Sequence, residues 1–323
     1  MFRAFVIICA IVFSALLSHS QTGGSSVYPF LRLSTSSNYA SMGGFLPSVD
    51  IPGPNSVASN PALVDSACNI SAALNMVSYV AGIRYGSAFY TGRLGKFMLT
   101  GGAQLMHYGD FLLTDEAANE LGTFQCRDMM TQISLSRLIY TNLTAGITAK
   151  YINSDMETYH SQGLALDMGF FSGFDEGRTS LALTIYNLGS QITTYSTTRE
   201  SLPLDIRLGL SRKLQYAPLR FSSTVHSLNH PRLHDDFLTS LADHFILSAE
   251  LFPEGVVSLK GGFNVLAHND LYVSGASPFA GFSFGIDVRL KRFSIQYSRQ
   301  CISPAASANM LSMEVFIGRF VTK

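Results

Sequence analysis

The stretch from Ala280 to Arg299 limits what this chain can fold into more than any other. Phe282, Phe284, Ile286, Val288 and Leu290 are large and apolar, while Ser283, Gly285, Asp287 and Arg289 between them are small or charged. A repeat of two marks a strand, whose successive side chains point to opposite faces. Lys291-Arg292 reverses the chain, and Phe293, Ile295 and Tyr297 resume the alternation against Ser294, Gln296 and Ser298. The pair reads as a β-hairpin. One face is unbroken Phe, Ile, Val, Leu and Tyr, and on the other a glycine sits among the charges. Strands of about 9 to 11 residues, apolar outside and polar inside, are what a transmembrane barrel needs.

Composition narrows the choice further. Of 323 residues 47% are hydrophobic and only 14% charged, against about 25% charged in soluble domains. Lys plus Arg and Asp plus Glu number 22 each, so no basic surplus points to nucleic acid. Mean hydropathy is +0.21, yet no apolar run beyond the first twenty residues is long enough for a spanning helix. High hydropathy without such helices favours a barrel.

Met1-Phe2-Arg3, the apolar run Ala4 to Leu17 and the small residues Ser18 and Ser20 predict a signal peptide over 1–20, cut before Gln21. Cys9 lies inside the apolar run without small residues just before it, which excludes a lipoprotein. Cys68, Cys126 and Cys301 then remain, an odd count that leaves at least one unpaired. A Cys126 to Cys301 bridge stays open, since both fall in connections expected on the same side.

Residues 21–68 lack sustained periodicity but hold Gly43-Gly44, Pro52-Gly53-Pro54, Asn60-Pro61-Ala62 and the apolar cluster Tyr28, Phe30, Leu31, Leu33. This segment is expected to be a plug or a periplasmic-side latch. Residues 69–323 are expected to form the barrel. Its apolar faces include Leu74 with Met76, Ile83 with Tyr85 and Phe89, Leu99 with Leu105, Ile147 with Tyr151, Leu208 with Leu210, and Leu311 with Met313. The full set predicts an all-β fold, a transmembrane antiparallel β-barrel of about fourteen strands. Short connections near 92–95, 139–142, 173–177, 215–218, 253–255 and 291 alternate with long ones at 107–127, 153–162, 188–202, 227–243, 266–279 and 300–308. Periplasmic turns and extracellular loops alternate in this way. The connection near Tyr79 is short where a loop belongs, and Phe320 supplies an aromatic near the end of the closing strand.

Lys150, Asp167, Asp205, Arg207, Glu250, Lys260, Asp287, Arg289 and Glu314 face the expected lumen with both signs interleaved. They are either solvated or paired so as to close it. His226, His230 and His234, with Asp235, Asp236, Asp243 and His244, have helical metal-ligand spacing, but Pro231 opposes a helix. A hydrolytic site at the barrel rim is a second reading, and polar surface is the one adopted. No catalytic residue, cofactor-binding residue or metal ligand is assigned, and no cofactor is expected.

Phe30-Leu31-Arg32-Leu33, Ala40-Ser41-Met42-Gly43-Gly44 and Asn60-Pro61-Ala62-Leu63 resemble the start of the PorV/PorQ group, FadL-like outer-membrane barrels of the type IX secretion system of Bacteroidetes. His107-Tyr108-Gly109-Asp110-Phe111 with Thr114-Asp115-Glu116, Gly122-Thr123-Phe124, Asn187-Leu188-Gly189-Ser190-Gln191 and Ala217-Pro218-Leu219-Arg220 are similar to the PorQ branch. Asn38 stands near where that group's arginine is expected. The resemblance implies a non-enzymatic barrel in outer-membrane lipid. Its long extracellular loops would hold a PorZ-like surface protein of the cell-surface attachment complex. The alternative is a FadL-like transporter of hydrophobic small molecules, which needs an apolar lumen pocket.

Overall fold

The computed structural model describes residues 26–63, 70–79, 82–115, 117, 119–230, 237–271, 278–303 and 306–317. Fourteen antiparallel strands close on themselves. They are β1 (Ile70–Ser78), β2 (Arg84–Leu94), β3 (Phe97–Thr114), β4 (Glu120–Tyr140), β5 (Leu143–Met156), β6 (Tyr159–Phe174) and β7 (Thr179–Thr193). The circuit continues through β8 (Asp205–Lys213), β9 (Leu219–Val225), β10 (Phe245–Leu251), β11 (Val257–Asn264), β12 (Phe282–Arg289), β13 (Phe293–Ser303) and β14 (Ala306–Val315). The seam joins β1 to β14, from Ala72 opposite Val315 to Ser78 opposite Asn309. Closure removes the unpaired edges that an open sheet would expose in lipid.

The residue pattern explains why the sheet curls with this face inward. Along β4, Asp128, Gln132, Ser134 and Ser136 are buried, while Met129, Ile133 and Leu135 are exposed. The same inversion runs round the barrel: Leu74, Leu105, Leu164, Phe221, Leu247, Ile295 and Leu311 face outward. A polar interior inside an apolar wall is stable only where the surroundings are lipid.

The wall is uneven in height. Strands β3 to β7 have 14 to 21 residues, whereas β8 to β12 have 7 to 9. A seven-residue strand spans only about 24 Å. On that side two short helices, Phe237–Asp243 and Val265–Leu271, stand at the end carrying the long connections and touch each other.

Residues 26–63 lie along the inner surface. At the long-connection end, here the loop end, Val27 donates its N–H to the Ser201 carbonyl at 3.0 Å. At the opposite, turn end, the Ser48 carbonyl accepts from Ser180 Oγ and Ser211 Oγ, both at 2.9 Å. Between them a one-turn helix, Ser37–Ala40, starts at Ser36, whose side chain accepts from the Asn38 N–H. It stops at Gly43 and Gly44, with φ of 97° and 102°, backbone angles that suit glycine. Gly146 and Gly169 are opposite one another across β5 and β6. A Cβ on Gly146 would lie 2.3 Å from the Pro61 carbonyl oxygen, and one on Gly169 would lie 2.0 Å from Asn60 Oδ1. The two glycines therefore form a saddle for the Asn60–Leu63 turn.

Several expectations need correction. The stretch 107–127 is mostly strand, not loop, because β3 and β4 run on to Thr114 and Glu120. A register shift between His107 and Asp110 slides the alternation by one residue, so a period-two reading stops there. The 153–162 connection is a two-residue turn with Glu157 at φ 56°, and β13 extends through Cys301 to Ser303. Tyr85 and Phe89 face inward rather than toward lipid. Pairing of Leu74 with Ala88 and Met76 with Gly86 puts the even residues of β2 outside, and Tyr85 and Phe89 pack instead in buried clusters containing Phe30 and Val57 respectively. The proposed signal peptide, Cys68, His234, Asp235, Asp236 and Phe320 lie outside the described residues.

Candidate functional site

Strands β9 to β12 bring alternate inward residues into one charged cluster. Glu250 on β10 accepts from Arg220 Nε at 2.8 Å and also from Nη2, and from Arg289 Nη2 at 3.0 Å. Lys260 Nζ lies 3.7 Å from Glu250 and 3.1 Å from Asp287, and Arg289 Nε is 2.6 Å from Asp287. Glu250, Lys260 and Asp287 side chains are each 1% exposed. The lumen charges here are thus paired and dry rather than solvated. Buried charges are tolerated only with such partners.

The cluster also grips the segment lying on it. Arg220 Nη1 donates to the Asp50 carbonyl at 3.2 Å, and Lys260 Nζ donates to Asn38 Oδ1. Two strands on from β12, Glu314 Oε1 on β14 accepts from Asn55 Nδ2 at 2.7 Å. Asn55 was not singled out by sequence reasoning, and Arg220 was named only as the end of the Ala217-Pro218-Leu219-Arg220 motif, not among the lumen charges. Arg220 was legible, since it falls between the outward-facing Leu219 and Phe221 of β9.

A second arrangement depends on a bulge in β7. Two residues, Tyr186 and Asn187, stand where β6 offers Asp167 alone, and Asn187 has φ 57°, tolerable for asparagine. Asp167 accepts from the Asn187 N–H at 2.8 Å and pairs with Lys150 at 2.6 Å. Tyr186 is thereby aimed at Arg207, whose guanidinium lies 4.1 Å from its ring centre and 3.8 Å from that of Phe45, with Asp205 at 2.6 Å from Nε. Stacking between two rings suits a planar guanidinium and not an ammonium. Arg207→Lys is expected to cost about 2 kcal/mol of stability, checked by urea unfolding in detergent micelles.

At the loop end the taller wall and the start of the inner segment border an open cavity of about 690 Å³. Its lining includes Val27, Tyr28, Phe111, Met156, Tyr159 and Tyr195, with Asp128 and Glu200. Tyr28 and Tyr195 meet edge to face at 6.4 Å. Tyr108 Oη donates to Asp128 Oδ2 at 2.6 Å, Ser154 Oγ donates to Asp128 Oδ1, and Tyr195 Oη donates to Ser154. Cavities of this size and lining are suited to small ligands. Only the bulged extension of β3 and β4 brings Phe111 and Asp128 together, which is why sequence alone did not reveal the site.

The histidines are not rim surface as expected: His226 and His244 are buried. His226 Nδ1 lies 2.9 Å from Ser227 Oγ and 6.4 Å separates its ring from Phe45, while His244 Nδ1 is 2.7 Å from the His226 carbonyl. Burial, and then the charge of Arg32, hold the His230 imidazole below its ordinary pKa. Among the described residues no three His, Cys, Asp or Glu side chains cluster for a metal ion. Cys126 and Cys301 carry free thiols, so no bridge joins them.

By sequence the chain matches no protein-family profile and no curated protein. By fold it is similar to the toluene transporter TodX of Pseudomonas putida, with TM-score 0.53 and 11% identity over 88% of this chain and 97% of that one. It is similar to the toluene transporter TbuX of Ralstonia pickettii at 0.50 and 12%, over 90% and 98%. The monoaromatic hydrocarbon channel CymD gives 0.50 and 11%, over 90% and 97%. At such identities the likeness is one of fold. The chain is a closed fourteen-stranded antiparallel barrel, a fold it shares with these transporters and this channel.

Proposed function

We propose that this protein takes up small apolar molecules across a Gram-negative outer membrane, holding them first in the aromatic cavity at the loop end. The observation that carries the reading is that cavity, about 690 Å³ and mostly apolar, at the end where outer-membrane barrels put their extracellular loops. The names of TodX, TbuX and CymD as toluene transporters and a hydrocarbon channel favour the same class of ligand. Export on the N-terminal leader and residence in outer-membrane lipid belong to this reading, and it involves no catalytic step. Residues 26–63 act in it as a plug. Titration calorimetry of the purified barrel with toluene tests it. Binding should weaken about tenfold or more in Phe111→Ser or Met156→Ser, each of which removes apolar contact area. Absence of heat with wild-type protein would sink the reading.

A second reading is favoured by one observation. Helix Phe237–Asp243 leaves Phe237 and Leu238 about 70% exposed at the loop end, and Leu241 half exposed. That apolar patch suits the anchoring of a surface protein of a type IX attachment complex. Pull-down of the tagged barrel from its own membrane, with Phe237→Ser/Leu238→Ser as control, separates the two: a stoichiometric partner lost in the variant supports anchoring.

A further inference from the structure

We infer that the loop-end cavity is built for an apolar cation, a quaternary or tertiary ammonium on a small aromatic or alkyl group. The inference rests on the uptake reading, since it names the ligand class of the same cavity.

The first observation is an unbalanced charge. Asp128 is 1% exposed and, among the described residues, no Lys, Arg or His lies within ion-pair distance of it. Four other carboxylates of the interior are ion-paired: Asp167 has Lys150, Asp205 has Arg207, and Glu250 and Asp287 share Arg289 and Lys260, whereas Glu314, in contact with the inner segment and far from this cavity, is held by the neutral donors Asn55, Ser294 and Gln296. The nearby Asp155 is already engaged by Arg127 and His160. Burying a carboxylate without a counter-charge is costly, and three hydroxyls in a chain, Tyr108, Ser154 and Tyr195, offset that cost only in part. The lining of the cavity adds Glu200 and contains no basic residue, whereas the cavity at the turn end is lined by Arg93, Lys96 and Arg137. The chain as a whole is neutral, so the negative sign is a local property of this mouth.

The second observation is the surface around that charge. Tyr28, Tyr108, Tyr159 and Tyr195 all line the cavity. The hydroxyls of three of them are engaged in the wall, with Ser161 at 2.5 Å for Tyr28, with Asp128 for Tyr108 and with Ser154 for Tyr195. What they offer a ligand is therefore mainly ring. Tyrosine rings around a buried negative charge attract an alkylated ammonium through their quadrupoles. Both Asp128 oxygens already accept from hydroxyls, so the ligand has no need to bring an N–H, and a fully alkylated nitrogen fits.

The test is calorimetry on the full-length barrel in detergent micelles with benzyltrimethylammonium and its uncharged carbon isostere, neopentylbenzene. The cation should bind about tenfold tighter or more. Asp128→Asn should remove that preference, bringing the affinities for the cation and the isostere together. Should Asp128→Asn fail to fold, Glu200→Gln and Tyr159→Leu, both at exposed positions, should each weaken the cation selectively by several-fold. Equal affinities for both ligands, unmoved by the variants, would overturn the cation inference and leave the uptake reading standing. Failure of both ligands to bind would overturn both.

Discussion

Replacing Glu250 by alanine is expected to destabilise the barrel by about 3 to 5 kcal/mol, the usual cost of removing one partner from a buried charge cluster. Glu250 is the carboxylate that Arg220, Lys260 and Arg289 share. Its loss leaves buried Arg220 and Lys260 and partly buried Arg289 facing Asp287 alone, in an interior where little water can replace the missing charge. The effect should not stay in the wall. Arg220 also holds the Asp50 carbonyl and Lys260 holds Asn38, so the inner segment should loosen between residues 38 and 50. Urea unfolding in lipid vesicles reads the first consequence, and limited proteolysis of the folded protein reads the second. Glu250→Gln keeps the shape and loses the charge. If it unfolded at the same urea concentration as wild type, the cluster would be a packing feature and not an electrostatic one.

Gly146→Val should open the interior without harming the wall. Its Cβ would stand 2.3 Å from the Pro61 carbonyl oxygen and 2.7 Å from the Ala62 nitrogen, backbone atoms that cannot swing aside as a side-chain tip can. The neighbouring β-ladder is untouched, because Gly146 points inward and its register with Gly169 and Ser136 needs only backbone. The Asn60–Leu63 turn must therefore lift from its saddle. Its hydrogen bonds from Asn60 Nδ2 to the Pro47 and Phe170 carbonyls, 3.0 and 3.3 Å, should go with it. In planar bilayers the variant should show larger and longer conductance steps than wild type. Gly101→Val is the control, since no atom lies within 4 Å of the Cβ it would add. Identical conductance in Gly146→Val and wild type would mean that this turn does not obstruct the lumen.

The three histidines show why spacing can mislead. His226 and His230 are four apart, yet His226 directly follows strand β9 and is buried beside Phe45 inside the barrel. Sequence distance indicates a shared face only where a helix carries both residues, and none does here. Arg207 shows the reverse. Its place on the inner face followed from Leu208 and Leu210 beside it, but its two stacking partners come from the inner segment and from the bulge in the adjacent strand β7.

What the residues determined by themselves is the wall. Alternation over Phe282–Tyr297, repeated round the chain, dictates strands, their number and which face meets lipid, because side-chain direction in a strand is a local property of the backbone. Even the glycine among the charges was informative: a Cβ on Gly285 would stand 2.4 Å from Ser41 Cβ, so the gap was room for the inner segment. What only the tertiary structure decided is the interior. Whether Asp287 is solvated or shared, whether Asp128 has a cation, and whether Phe111 reaches a cavity depend on bulges, wall height and the path of residues 26–63. Those are contacts between residues distant in sequence, and no period in the chain encodes them.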